Sequence, residues 1–192
     1  MMADGHYETT PSQTLGPFFH YALPYPGGDT LTNEATLGER VTIEGRLIDA
    51  TGDPVEDGLI EIWQANSQGR YHHPEDIQEK QLDPNFDGFG RAPTGESGWF
   101  RFHTIKPGQV PGPNGASQAP HINISVMGRG ILKRLATRLY FEGEAANESD
   151  PVLALVPPDR RATLIARRHG EASVYRLDII LQGENETVFF DI

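Results

Sequence analysis

The feature that most constrains the fold is a series of short segments in which apolar and polar residues alternate. In RVTIEGRLID, which starts at Arg40, alternation places Val41, Ile43 and Leu47 on one face. Alternation with a period of two is typical of half-buried β-strands. The similar segments are LIEIWQA, GWFRFHT, HINISVM, RLYFE, VYRLDIILQ and the terminal ETVFFDI. The sequence therefore predicts an all-β fold of about seven to eight strands.

Glycine and proline residues are spread between these segments, where they mark turns and long loops. Many short strands separated by turns favour a β-sandwich. One segment, PPDRRATLIARRH, has a proline able to start a helix and arginines toward its end, and predicts a short helix near 158–168. No shift in composition divides the 192 residues. We expect a single domain over 1–192 with an extended N-terminal arm over about 1–38.

Charge and cysteine content limit the partners and the compartment. The chain has 27 acidic and 16 basic residues, a formal net charge of −11, which disfavours nucleic acid and anionic membranes as partners. Cysteine is absent, which excludes disulfides and thiolate metal sites and fits a reducing compartment. Neither a signal-peptide pattern at the start nor an apolar run of membrane-spanning length is present. We therefore expect a cytoplasmic location.

The segment QAPHINISV raises the possibility of a metal site. His121 and Asn123 lie two residues apart in a strand-like pattern, so both side chains point to one face. Two histidines so placed would hold a metal well, but the neutral amide of Asn123 is a weak ligand for iron or zinc. His103 and the run Tyr71, His72, His73 are further candidates, but a histidine in a strand such as His103 is more often structural, and the run is weak evidence for a metal on its own.

Six segments, taken in order, point to one enzyme family: TPSQTLGPFF, IEIWQANSQGRY, LDPNFDGFGR, FHTIKPG, PHINI and RLYFEGE. Together they resemble the intradiol ring-cleaving dioxygenases, and most closely the α subunits of the members that cleave protocatechuate. The similarity runs from about Thr10 to Ile192. It implies a β-sandwich core and a non-haem Fe(III) that activates a catecholate for attack by dioxygen.

The same resemblance implies that this chain holds no metal. Catalytic members bind iron through two tyrosines and two histidines, and phenolate is a hard anionic donor that stabilises the ferric state. The four positions correspond to Tyr71, Val110, His121 and Asn123, so two of the four ligands are lost. Gln118 stands where catalytic chains place an arginine. We call these four positions the vestigial site and expect the chain alone to be inactive.

In the α-type members, a homologous β subunit carries the Fe(III), and the two chains form a higher (αβ)n assembly. The resemblance then implies that Thr14, Gly16 and Pro17 line the partner's site. Arg129 would help to receive the carboxylate of protocatechuate, since a guanidinium presents a planar fork of donors. These residues are also compatible with plainer roles, namely a solvated turn for Arg129 and a simple interface arm for the other three.

Two alternatives stay open at this point. One is an independent intradiol-type dioxygenase with rearranged ligands, drawn from Tyr71, His72, His73 or His103 together with His121. The other is a non-catalytic β-sandwich scaffold that has lost the chemistry altogether.

Overall fold

The computed structural model describes residues 11, 13–16 and 18–191, without the side chains of residues 171 and 172. Its strands are β1 (Arg40–Ile48), β2 (Leu59–Trp63), β3 (Phe89–Pro93), β4 (Trp99–Ile105), β5 (Val110–Pro111), β6 (Ser117–Gln118), β7 (His121–Met127), β8 (Leu135–Phe141), β9 (Ile165–His169), β10 (Glu171–Arg176) and β11 (Ile179–Ile180). One α-helix, α1 (Phe18–Ala22), and five 3-10 turns accompany them; the turns are Glu96–Gly98, Pro113–Gly115, Ala145–Ser149, Leu153–Leu155 and Arg161–Leu164. The predicted all-β class is confirmed, and eight of these strands have five or more residues.

Nine strands join one curled sheet in the order β11-β1-β10-β9-β8-β7-β2-β3, with β4 paired to β1. Strand β9 connects the two halves, because it pairs antiparallel with β10 and parallel with β8. Strands β5 and β6 form a separate pair. The curl brings β1 and β4 to face β2, β7 and β8 across a shared core, as in the predicted sandwich.

Alternation along the strands fills this core. Val41, Ile43 and Leu47 of β1 are each no more than 3% exposed, as their pattern predicts. They pack in one apolar cluster with Ile62 of β2 and Ile124 of β7, which belong to the opposite half of the sheet. Burying such side chains contributes about 1.5–3 kcal/mol each, so this alternation is a principal source of stability.

The predicted helix near 158–168 is wrong. That segment forms the 3-10 turn Arg161–Leu164 and then strand β9. Ile165 and Ala166 pair in parallel with Tyr140 and Phe141 of β8, and Ala166 is fully buried. The parallel pairing of this segment with β8 overrides its local preference for a helix.

The chain termini also differ from the predicted pattern. The single short α-helix of the described residues is α1, which lies in the N-terminal arm rather than near 158–168. The terminal ETVFFDI contributes only an isolated bridge between Phe190 and Ala136, and no strand of its own within the described residues. None of the helices in this part of the chain is both long and apolar enough to cross a membrane.

Candidate functional site

Strand β7 carries two of the four vestigial positions on one face. Its neighbours are β2 and β8, and the register places Asn123 opposite both Trp63 of β2 and Arg138 of β8. The adjacent row pairs His121 with Tyr140. Because side chains two residues apart share a face, these two rows form one polar patch at the start of β7.

Tyr71 completes this patch from the loop after β2. Its ring stacks on Trp63 with centroids 5.7 Å apart and planes 20° from parallel. The side-chain amide of Asn123 donates to the Tyr71 hydroxyl at 3.3 Å and to the Trp63 carbonyl at 3.2 Å. Burial raises the pKa of Tyr71, against the opposing effects of the Asn123 hydrogen bond and the Arg138 charge. At neutral pH the phenol is therefore protonated.

His121 is buried, with 3% of its surface exposed. Its Nδ1 lies 2.7 Å from the carbonyl of Ala119, so the proton sits on Nδ1 and leaves Nε2 as an acceptor. No hydrogen-bond partner for Nε2 is found in the described part of the chain. Burial, reinforced by the nearby charge of Arg138, lowers the pKa of His121 to about 4. A neutral imidazole with a free Nε2 suits a ligand role, but it is a single donor.

Val110 and Gln118 face each other across the β5–β6 pair. Both line a cavity of about 440 Å³ that Tyr71 also lines, so the structure brings Val110 to the tyrosine's pocket. Val110 is 4% exposed and has no donor atom. Gln118 accepts from Arg138 Nη1 through Oε1 at 2.7 Å and donates through Nε2 to the Pro111 carbonyl at 2.7 Å.

The vestigial site does not fit Fe(III). A trivalent ion needs anionic donors, whereas the four positions offer one imidazole nitrogen, a single phenol and a neutral amide that already donates two hydrogen bonds. The fourth position is an aliphatic side chain. No cluster of three or more His, Asp or Glu residues suited to a metal occurs among the residues that the structure describes.

The rearranged ligand set is not brought together either. His72 is exposed and its Nδ1 lies 2.8 Å from Asp87. His73 is also exposed, with Nδ1 accepting from the backbone of Glu75. His103 lies on the outer face of β4, 3.3 Å from the Thr42 hydroxyl.

Three of the other predicted residues meet at a second place, the turn after β7. Arg129 forms an ion pair with Asp57, with Nε and Oδ2 2.9 Å apart, and the arginine side chain is 70% exposed. The Thr14 hydroxyl accepts from the backbone N–H of Gly130 at 2.8 Å and of Gly16 at 3.2 Å. Gly16 has a φ of 72°, a conformation that favours glycine. The prediction for Pro17 lies outside the described residues.

The two clusters lie at opposite ends of β7. With about 3.3 Å of rise per residue, the six steps from His121 to Met127 already span about 20 Å. Arg129 lines an open cleft of about 870 Å³ whose wall is rich in carboxylates. That wall includes Asp49, Glu56, Asp57 and Glu96, beside His20 and Tyr21 of α1. The Arg129 cluster is thus too far from the vestigial site to serve it within one chain.

Sequence reasoning missed Arg138, which contacts Gln118 and Tyr140 in the vestigial site. It also missed Asp150, a fully buried carboxylate that accepts from the Tyr140 hydroxyl at 3.1 Å. The segment RLYFE has the pattern of a strand, but that local pattern carries no information on which residue of β7 stands opposite Arg138. Only the register supplies that contact.

Comparisons with known proteins agree with this architecture. A family model described as "Dioxygenase" matches residues 16–183. The chain is 44% identical over 198 residues to the protocatechuate 3,4-dioxygenase alpha chain of Burkholderia cepacia, covering 95% of this chain and 97% of that relative. It is 39% identical over 184 residues to the protocatechuate 3,4-dioxygenase beta chain of the same organism, covering 92% and 77%.

A solved structure adds evidence on the fold. The dioxygenase domain of a dioxygenase and carbohydrate-binding fusion protein from Streptomyces sp. SirexAA-E matches with a TM-score of 0.62 at 24% identity, covering 97% of each chain. This likeness extends over both halves of the curled sheet. Because the family model and both relatives extend over nearly all of the sequence, the chain belongs to the intradiol dioxygenase family, as its motifs predicted.

Proposed function

We propose that this chain is the iron-free α subunit of a protocatechuate 3,4-dioxygenase. The enzyme would open the ring of protocatechuate with dioxygen to give 3-carboxy-cis,cis-muconate. A homologous β subunit would hold the Fe(III), in an (αβ)n assembly. The observation that carries the proposal is the side-chain amide of Asn123, which donates to the Tyr71 hydroxyl and the Trp63 carbonyl at the position where a catalytic chain would have a histidine ligand.

Similarity to both an alpha and a beta chain supports a partnership between two related chains. Intradiol dioxygenases in general depend on iron, and the vestigial site of this chain lacks the donors to hold it. The chemistry therefore requires a metal from elsewhere in the assembly. We further infer that residues 1–192 form one domain with an arm over about 1–38. The absence of cysteine supports a cytoplasmic location.

The proposed contribution of this chain to catalysis is substrate positioning. Nε is the atom of Arg129 nearest to Asp57 in their ion pair, so the two terminal nitrogens of the guanidinium are available to a carboxylate. Thr14 fixes the arm beside this arginine by accepting from Gly130. With Gly16 and Pro17, it would form one wall of the partner's pocket. Within the protocatechuate enzyme, this wall would orient the carboxylate end of the substrate.

The ion pair between Arg129 and Asp57 also favours a second candidate, the non-catalytic scaffold. An arginine already paired within its own chain can simply hold a turn. An exposed pair of this kind contributes only about 0–1 kcal/mol to stability. In the main proposal, a substrate carboxylate could therefore replace Asp57 at little cost. Kinetics of an Arg129 variant in the assembled enzyme separate the two candidates.

The test of the main proposal is metal analysis of the full chain with and without a partner. The chain would be purified alone and after co-expression with a homologous β chain, and iron would be measured by mass spectrometry together with visible absorption. We expect a colourless, iron-free chain alone and one iron per αβ pair in the complex. Stoichiometric iron in the chain purified alone would overturn the proposal.

A further inference from the structure

Arg138 projects a positive charge into the vestigial site. It stands directly opposite Asn123 in the β7–β8 register, where side chains on one face lie about 4.5–5.5 Å apart at Cβ. Its guanidinium extends along β8 toward the row that pairs His121 with Tyr140. The cation is therefore flanked by both of the positions that correspond to histidine ligands.

Hydrogen bonds fix the guanidinium in that place. Nη1 donates to Gln118 Oε1 at 2.7 Å and contacts the Tyr140 hydroxyl at 3.3 Å. The Tyr140 hydroxyl in turn donates to Asp150, at 3.1 Å. Asp150 is held by three backbone N–H groups, those of Ala119, Val152 and Leu153. A charge anchored through such a network cannot readily swing out of the pocket.

No carboxylate neutralises this charge at ion-pair distance. Within the described ranges Arg138 forms no salt bridge, unlike Arg91, Arg101, Arg129 and Arg176. Its direct partners, Gln118 and Tyr140, are neutral groups. A guanidinium stays protonated at any pH of interest. The half-buried pocket thus holds a permanent, unpaired positive charge.

We propose that Arg138 keeps the vestigial site free of metal, and that its guanidinium excludes a metal cation independently of the missing ligands. Like charges a few ångströms apart repel strongly where water is partly excluded, and the repulsion grows with the charge of the metal. Restoring the lost donors would then be insufficient for iron binding while Arg138 remains. This inference rests on the proposed function, in which the chain itself holds no iron.

The test restores the two lost donors in the full chain, with and without the arginine. The variants are Val110→Tyr with Asn123→His, and the same pair combined with Arg138→Gln. Each purified chain would be incubated with Fe(III), desalted and analysed for iron content and for visible tyrosinate-to-iron absorption. We expect the iron occupancy of the triple variant to be about tenfold or more higher than that of the double variant, because a nearby like charge has been removed.

Two further variants act as controls. In the background with both donors restored, Arg138→Lys keeps a positive charge and is expected to stay metal-poor. Arg134→Gln removes an exposed arginine that lies on the same face of the sheet and donates to Ser125. This substitution is expected not to increase the iron content. Circular dichroism confirms folding of each variant before its metal content is compared.

The outcomes distinguish this inference from the proposed function. Equal iron in the double variant and in the triple variant that adds Arg138→Gln overturns the inference alone, as does failure of both folded chains to bind iron. Iron in the unmodified chain would instead overturn the proposed function. Iron uptake that appears only after Arg138 is replaced supports the inference, and the unmodified chain stays colourless in that case.

Discussion

Asn123 donates its side-chain amide to the hydroxyl of Tyr71 across 3.3 Å. In the proposed function these two residues stand at the positions of a histidine and a tyrosine ligand, and here they form a hydrogen bond with each other. The same amide reaches the Trp63 carbonyl, and Trp63 stacks on Tyr71. Asn123, Tyr71 and Trp63 therefore form a closed, hydrogen-bonded and stacked unit rather than an open coordination position.

Replacing Asn123 with alanine is expected to destabilise the chain by about 1–2 kcal/mol. The change removes two hydrogen bonds, each with a net contribution of about 0.5–1.5 kcal/mol, and leaves the half-buried Tyr71 hydroxyl without its donor. Urea unfolding followed by circular dichroism measures the difference. Ser125→Ala is the matched control on the same strand face, because the one side-chain partner of the Ser125 hydroxyl among the described residues is the exposed Arg134. Equal effects of the two substitutions would contradict this account.

Acid is expected to weaken the fold through His121 between pH 6.5 and about 4. The pKa of the buried imidazole is lowered to about 4, so in this interval the unfolded chain binds a proton that the folded chain does not. Stability therefore falls as the pH falls, by a total on the order of 3 kcal/mol. The pKa values of Asp76 and Asp83 are also lowered, but the stability they contribute is lost below that interval.

Unfolding free energies at several pH values check this prediction. His121→Gln removes the titrating group and is expected to flatten the dependence between pH 4 and pH 6.5. A glutamine amide can still donate to the Ala119 carbonyl, which limits the structural cost. A variant with the same slope as the unmodified chain would show that another group is responsible.

The sequence predicted the parts of the fold that depend on local pattern. Val41 and Ile43 alternate in the chain and are buried in the core. It failed for Ile165 and Ala166, because an arginine-rich segment with a proline before it favours a helix locally. Their strand exists only because β8 offers them a parallel partner. A long-range pairing of this kind leaves little trace in the segment itself.

The candidate site shows the same division. The spacing of His121 and Asn123 in one strand was enough to place both on one face. Arg138 could not be assigned to that site from its own segment, since its position opposite Asn123 depends on the register of β8 against β7. Register is set by the turn between the strands and by the buried face, and both are properties of the assembled sheet.

Asp150 is expected to be essential for the stability of the region behind the vestigial site. Its carboxylate has no exposed surface and accepts from three backbone N–H groups and from Tyr140. Asp150→Asn places an amide NH2 toward one of these donors and removes the negative charge. We expect a loss of about 3 kcal/mol in unfolding free energy, since hydrogen bonds to a charged group contribute about 1.5–3 kcal/mol.

Thermal and urea unfolding would measure the effect of Asp150→Asn. The control is Asp191→Asn, because Asp191 pairs with Lys133 at 3.0 Å on the open surface. That substitution is expected to change stability by less than about 0.5 kcal/mol. A comparably small change for Asp150→Asn would mean that the network around Tyr140 is not stabilising.

Arg129→Ala is expected to raise KM for a carboxylated catechol in the assembled enzyme by about tenfold or more. Charge-assisted hydrogen bonds to a carboxylate contribute about 1.5–3 kcal/mol, and each 1.4 kcal/mol corresponds to a factor of ten. Because Arg129 would bind the carboxylate away from the reacting carbons, kcat should change little. Steady-state kinetics with protocatechuate and with unsubstituted catechol separate binding from chemistry, since only the first carries the carboxylate.

Arg129→Lys keeps the charge but loses the planar fork of donors, and should give an intermediate KM. Asp57→Asn removes the partner of Arg129 while leaving the guanidinium in place, so it should not raise KM to the same extent. An unchanged KM in Arg129→Ala would favour the scaffold, in which this arginine only holds the turn after β7.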